Sequence, residues 1–281
     1  MKVGILGYGS IGQFLYNAAK SRNDIEVLWV WNRSKEALNE LQKDEILDNI
    51  EDIPNKAKVD LIIEVAHPSI TVNYGEFLLE QANYFVGSPT CFADQAVEDK
   101  IRNALKNKNP NKHAVYVPAG ALWGSQDIFK MAALGTLKKL SVTMKKHPTS
   151  LKLNGELSDK LEEVLKNKPE GEVVLYEGGV RGLCPLAPNN VNTMAAAALV
   201  GFNLGFDDVQ ARLVCDFSLT GHVITIDASG APNPNGECFR VFTERYNPAA
   251  AGAVTGQATY DSFLSSVLLA HSKSPDAIHL C

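Results

Sequence analysis

A chain of 281 residues is long enough for one large or two ordinary domains and for a sizeable buried core. Its 45% hydrophobic and 21% charged residues are those of a globular protein, and a formal charge of −5 argues against nucleic acid or an anionic membrane surface as partner. The cysteines (Cys91, Cys184, Cys215, Cys238, Cys281) form no C-x-x-C pair, so they read as reduced thiols in a cytoplasmic protein. No His, Asp and Glu spacing suggests a metal site, no secretory leader is expected ahead of the strand that begins at Lys2, and no apolar run reaches the roughly 18 residues of a membrane span.

The first strand runs from Lys2 into Gly7-Tyr8-Gly9-Ser10-Ile11-Gly12, a G-x-G-x-x-G turn followed by a helix-like run at Phe14, Leu15, Ala18 and Ala19. Gly7 permits the tight turn, Gly9 lets a pyrophosphate approach the backbone, and Gly12 lets the helix pack on the strand, so residues 7–12 are expected to hold a dinucleotide at the helix amides. A second strand over 25–31 ends in Trp31-Asn32-Arg33-Ser34. An acidic residue about 20 positions after the glycines selects the ribose hydroxyl of NAD. Here there is none: Asn32 and Ser34 can donate, and Arg33 can pair with a ribose phosphate. NADP or dual use is the expectation; the other reading makes Arg33 a solvated turn residue and the cofactor NAD.

A helix is expected to start at Ser34 as N-cap and run through Leu38. A buried strand follows over 59–66, then a loop at 67–69 and a helix at 72–81. Ala66 and His67 fall on the cofactor side of that strand; His67 either brushes the nicotinamide ribose or caps the loop. Strands at 84–87 and 114–117 flank a polar helix at 94–106, which ends in a turn at 107–111. This alternation predicts a Rossmann-type, doubly wound parallel sheet over residues 1–118.

The pattern changes after 118. A helix at 124–134, a strand at 137–144, a helix at 158–165, a strand at 173–176, an Ala-rich helix at 188–205 and strands at 210–217, 221–227 and 239–242 predict an α+β domain on a mixed sheet, spanning 119–246. It is expected to serve substrate binding and dimerisation. Segment 247–281, with an amphipathic helix at about 255–270, is expected to return to the first domain.

In this second domain Ala121 lies in a small-residue stretch, 118–124, at the end of the last Rossmann strand, where ligands lie in open α/β sheets. Asn192 offers a donor and an acceptor that match a nicotinamide carboxamide, or it is an N-cap. His222 follows Gly221 at a strand start. Lys145 belongs to a Lys145-Lys146-His147 cluster that either holds a dicarboxylate or is a solvated charge run. Arg181 is either a carboxylate clamp or a partner in a structural ion pair.

Gly7–Gly12, Gly120-Ala121 with Gly124, Pro188-Asn189-Asn190-Val191-Asn192 leading into an Ala run, and His222 together resemble the L-aspartate dehydrogenase family, in its animal branch, over essentially the whole chain. The resemblance implies that Ala121 and Asn192 contact the cofactor, that His222 is the active-site residue, and that the chain is a homodimer oxidising a dicarboxylic amino acid. The chemistry suits a histidine whose pKa lies near neutrality. Trp123, where microbial members carry a small residue, and a longer 145–171 region depart from the pattern and bear on the substrate. Two other readings stand beside it: a dihydrodipicolinate-reductase-like oxidoreductase, whose His-His-x-x-Lys segment is missing here, and a dinucleotide-binding sensor or scaffold with little catalysis.

Overall fold

The structure is a computed structural model that describes residues 1–107, 112–250, 252–270 and 278–280. It divides the chain into two units, Met1–Pro118 with Tyr260–Cys281, and Ala119–Thr259.

In the first unit β1 (Lys2–Leu6) leads through the glycine turn into α1 (Ser10–Lys20) and β2 (Glu26–Trp31). Then come β3 (Leu61–Glu64), α2 (Pro68–Gln81), β4 (Asn83–Val86), α3 (Gln95–Asn107) and β5 (Val115–Val117). The strands are parallel in the order β2-β1-β3-β4-β5. β3 and β5 are buried at every position, which is why residues 61–63 and 115–117 read as apolar runs. Because β2 flanks β1 on one side and β3 on the other, the strand order reverses between β1 and β3. A crevice for a ligand opens at the carboxyl ends of these two strands.

Two expectations are corrected here. No α-helix starts at Ser34; the crossover consists of 3-10 turns at Lys35–Leu38, Lys43–Glu45 and Ile50–Asn55, and Ser34 makes no side-chain cap. Tertiary contacts outweigh helix propensity. Glu45 is drawn to α1 by Tyr16 (2.8 Å) and Lys20 (2.6 Å), and Leu47 N bonds Val30 O on β2 at 2.9 Å. The second correction concerns 67–69, which is not a loop. Pro68 is the first residue of α2 and His67 its N-cap, with Nδ1 accepting from Ser69 N at 3.2 Å.

The second unit contains α4 (Ser125–Ala133), β6 (Lys139–Lys146), α5 (Glu156–Asn167), β7 (Val173–Gly179), α6 (Val180–Leu183), α7 (Asn192–Val200), α8 (Gly205–Asp208), β8 (Gln210–Cys215), β9 (Gly221–Ser229) and β10 (Arg240–Pro248). Its five strands run β10-β9-β6-β8-β7, with β6 and β8 parallel and the other pairs antiparallel: a mixed sheet. Thr193 to Val200 are all buried, so the Ala-rich helix is a core element, shorter than 188–205. The strand expected at 239–242 continues to Pro248, in register with β9 to its end, where Pro248 faces Gly221. The unit therefore extends to Thr259, and the return begins at Tyr260 rather than at 247.

In the first unit, Phe263 of α9 (Gln257–Leu269) meets Phe85 at a ring separation of 6.1 Å, and Val267 and Ala270 join the same core. β11 (Ile278–Leu280) adds a sixth parallel strand beside β5 that the sequence reading did not contain. Residues 108–111 of the expected turn, and Cys281, lie outside the described residues. Among those residues no helix is long and apolar enough to cross a membrane.

Candidate active site

The glycine turn has the geometry that a dinucleotide needs. Gly7 has φ +113°, and a Cβ there would lie 2.8 Å from the backbone of Ala66; one on Gly12 would lie 2.0 Å from Gly7 O. At Gly9 a Cβ would meet nothing within 4 Å, so the backbone is open to a ligand. Gly9 caps α1 without a side-chain bond, and no acidic residue stands in the first turn, leaving the helix amides and dipole for an anion. Ser10 is exposed and Ile11 half-buried at this mouth. Tyr8 is turned inward, its ring edge-on to Tyr16 at 5.6 Å.

Asn32 is not a free donor to the cofactor, as the sequence suggested. Its Oδ1 accepts Tyr8 N at 2.9 Å and its Nδ2 donates to Ser34 O at 2.9 Å, so it holds the glycine turn against the end of β2. Arg33 and Ser34 are exposed, and Arg33 has no hydrogen bond or ion pair among the described residues. Ala66 and His67 are exposed at the end of β3, with both amides bonded to Glu64.

The second unit gathers a row of polar side chains. β9 and β10 pair His222 with Asn247, β6 and β8 pair Lys146 with Cys215, and β6 and β9 pair Lys145 with Val223. One step beyond that last pair Lys146 stands opposite His222. Cys215, Lys146, His222 and Asn247 thus line up across four strands, all buried. The chain after β10 runs over them. Ala253 O accepts from His222 Nε2 at 3.0 Å, Val254 O accepts from Lys146 Nζ at 3.2 Å, and Ser150 Oγ accepts Gly252 N at 3.2 Å. A carbonyl can only accept, so the His222 proton sits on Nε2 and Nδ1 carries the lone pair.

Burial, then the charge of Lys146, pushes the His222 imidazole down to about 4. It is held neutral, well below the near-neutral value expected of it. Burial alone pulls Lys146 down to about 8, and among the described residues it has no carboxylate partner. Asn192 is the first residue of α7, not its cap, which is Val191. Its Oδ1 is buried with no hydrogen-bond partner among the described residues. An orphaned acceptor of this kind fits the amide donor of a nicotinamide. The 119–124 stretch lies at the same helix start: a Cβ on Gly120 would sit 4.0 Å from Thr193 Oγ1, and Gly120 O accepts from Arg245 at 3.2 Å. Ala121 is buried there and Trp123 exposed.

Two expected substrate cations are already engaged. Lys145 is paired with Glu172, and Arg181 makes a two-pronged bond to Asp207 at 2.6 and 2.9 Å. The strand expected to end at Met144 runs on to Lys146, and its alternation turns Lys145 to the outer face and Lys146 to the core. Within the expected cluster it is Lys146, rather than Lys145, that faces the core. Its signal was present: Leu140, Val142 and Met144 mark the buried parity, and Lys146 continues it.

The family model described as "Aspartate dehydrogenase, C-terminal" matches residues 127–266, and "Homoserine dehydrogenase, NAD binding domain" matches 7–118. The chain is 47% identical over 274 residues to the aspartate dehydrogenase domain-containing protein of Xenopus tropicalis, covering 95% of this chain and 94% of that one. It is 25% identical over 253 residues to the L-aspartate dehydrogenase of Methanococcoides burtonii, covering 87% of each. The crystal structure of aspartate dehydrogenase from Thermotoga maritima superposes with a TM-score of 0.67 at 21% identity, covering 95% of this chain and 94% of that one, and shares the fold.

Proposed function

Because the chain belongs to the aspartate dehydrogenase family and carries an NAD-binding domain, we propose that it is an NAD(P)-dependent L-aspartate dehydrogenase. The reaction would oxidise L-aspartate to iminosuccinate, which water converts to oxaloacetate and ammonia. The observation that carries this reading is the buried, facing pair of a neutral imidazole, His222, and a lysine, Lys146, that has main-chain carbonyls but no carboxylate for partners among the described residues.

The dinucleotide supplies the hydride acceptor when bound, with Gly7, Gly9 and Gly12 shaped for its diphosphate, and with Ala121 and Asn192 as further contacts. As the Cα–H bond breaks, its two electrons leave with the hydride, and the amine nitrogen forms a double bond to Cα after giving up a proton. His222 Nδ1 takes that proton in this reading and later activates water. Lys146 pairs with a substrate carboxylate. That pairing cancels the charge that helps to depress His222, so binding of a dicarboxylate raises the basicity of the imidazole. Exposed Arg33 supports use of NADP beside NAD. A cytoplasmic homodimer belongs to the same proposal, with the exposed side chains of Phe242 and Tyr246 on the edge strand β10 as its contact; a monomeric Phe242→Glu variant beside a dimeric parent would support it.

A dinucleotide-binding sensor is the second reading. One observation favours it: Ala253 and Val254 already occupy His222 Nε2 and Lys146 Nζ. The test is oxidation of NADPH and NADH with oxaloacetate and ammonia, by the parent and by His222→Ala. Turnover by the parent that is lost in the variant supports the enzyme; cofactor binding without turnover by the parent supports the sensor.

A further inference from the structure

Glu64 closes β3 at the point where the strand order reverses, and it is wholly buried. Its Oε1 accepts the amides of Ala66 (2.8 Å) and His67 (2.9 Å) and the hydroxyl of Ser88 (3.0 Å). Its Oε2 accepts the amide of Ser88 at 3.0 Å, and its main-chain carbonyl accepts Gly87 N at 2.8 Å. All four partners of the carboxylate are donors, which is the environment of an ionised group. One side chain therefore ties the turn after β3 to the turn after β4. The first of these turns is the one whose Ala66 backbone would lie 2.8 Å from a Cβ on Gly7. Core packing alone does not call for a carboxylate here, since burying one is costly and an apolar residue fills the same space.

We propose that Glu64 is a positioning residue for the dinucleotide, its ionised carboxylate setting the two turns that floor the crevice beside Gly7. The proposal rests on cofactor binding alone and is independent of which substrate is oxidised. Burial raises this carboxyl to about 7 against the pull of its four donors, so the group changes charge near physiological pH. Protonation puts a donor where Ser88 or the Ala66–His67 amides already donate, and the turns must then shift. The side chains paired with it on β1 and β4 are Leu6 and Val86. The titratable groups nearby are Tyr84 on β4, with Cys91 beyond it, and His67 at the mouth of α2, whose Nδ1 faces Ser69. Burial, and then Glu64, hold the Tyr84 phenol far above its ordinary value, so it stays neutral.

The experiment is titration of the full chain with NADH, read by its fluorescence, at steps from about pH 6 to 8.5. NADH is the probe because it lacks the ribose phosphate, which titrates in this range. The parent is expected to lose affinity several-fold as the pH falls through about 7. Glu64→Gln is expected to bind weakly at every pH with no slope, and Glu64→Asp to restore the slope. His67→Gln is expected to keep the slope of the parent. A flat parent profile overturns the proposal without recourse to any variant. So does a Glu64→Gln protein with the affinity and slope of the parent, or a slope that vanishes in His67→Gln.

Discussion

Lys146 and His222 occupy facing positions on neighbouring antiparallel strands, both buried, one a cation that among the described residues has only main-chain carbonyls for partners and the other a neutral base. Each lacks what a dicarboxylate would bring: a counter-ion for the ammonium, and relief for the imidazole from its charge. The pair therefore makes claims that separate catalysis from stability.

Replacing Lys146 by Met is expected to abolish oxaloacetate-dependent turnover at ordinary substrate levels, mainly through KM. The same change should leave the melting temperature level or raise it, because it removes a buried ammonium that burial already disfavours. Lys145→Ala, which breaks only the pair with Glu172, should leave KM close to that of the parent. Steady-state kinetics and thermal melting of the two variants check this.

Acid sensitivity follows from His222. Its folded value of about 4 lies below the ordinary 6.5, so between these limits the unfolded chain binds a proton that the folded chain does not. Stability is accordingly complete above about 6.5 and falls as the pH drops towards 4. Between pH 7 and pH 5 the loss is on the order of 2 kcal/mol for one such group. Denaturant unfolding at pH 7 and pH 5 should show a smaller difference for His222→Asn than for the parent.

Much of this arrangement was legible in the sequence, for reasons that differ from residue to residue. The glycine turn was readable because a tight turn, an approaching pyrophosphate and a close helix each demand a missing side chain at fixed spacing. Asn192 is legible from its amide at the mouth of an Ala-rich helix and His222 from the family resemblance, and the structure adds the orphaned oxygen and the neutral ring. The crossover at 35–55 was misread because its helix-forming composition is overruled by Glu45 binding Tyr16 and Lys20 of α1. The role of Asn32 was hidden because its partner Tyr8 is 24 residues away. Glu64 stood plainly at the end of an apolar strand, yet two of its four donors come from Ser88, also 24 residues away. Lys146 is legible as part of a basic cluster, but its burial is not, because a strand taken to end at Met144 leaves out the two residues that continue the alternation.

Asn192→Ala should uncouple two measurements. Removing a buried oxygen that has no partner relieves a cost of about 1–3 kcal/mol in the free chain, offset in part by the lost packing. The free protein should melt no lower than the parent, while NADH binds more weakly. A variant that both melts lower and keeps its NADH affinity would make Asn192 a structural residue.

Arg33→Asp should lower NADPH affinity by at least about tenfold and leave NADH affinity level or improved, since a carboxylate repels the ribose phosphate and accepts the ribose hydroxyl. Equal losses for both cofactors would show that position 33 does not face the ribose.

On the proposed function, this chain moves a hydride from the α-carbon of an amino dicarboxylate. The most direct measurement uses L-aspartate carrying deuterium at Cα with oxidised NADP or NAD, and follows the label by mass spectrometry of the reduced cofactor. One deuterium is expected on the nicotinamide ring for each turnover, slower than with protium, and none with His222→Ala. Reduced cofactor without the label, or no reduction by a parent protein that binds the dinucleotide tightly, would contradict it.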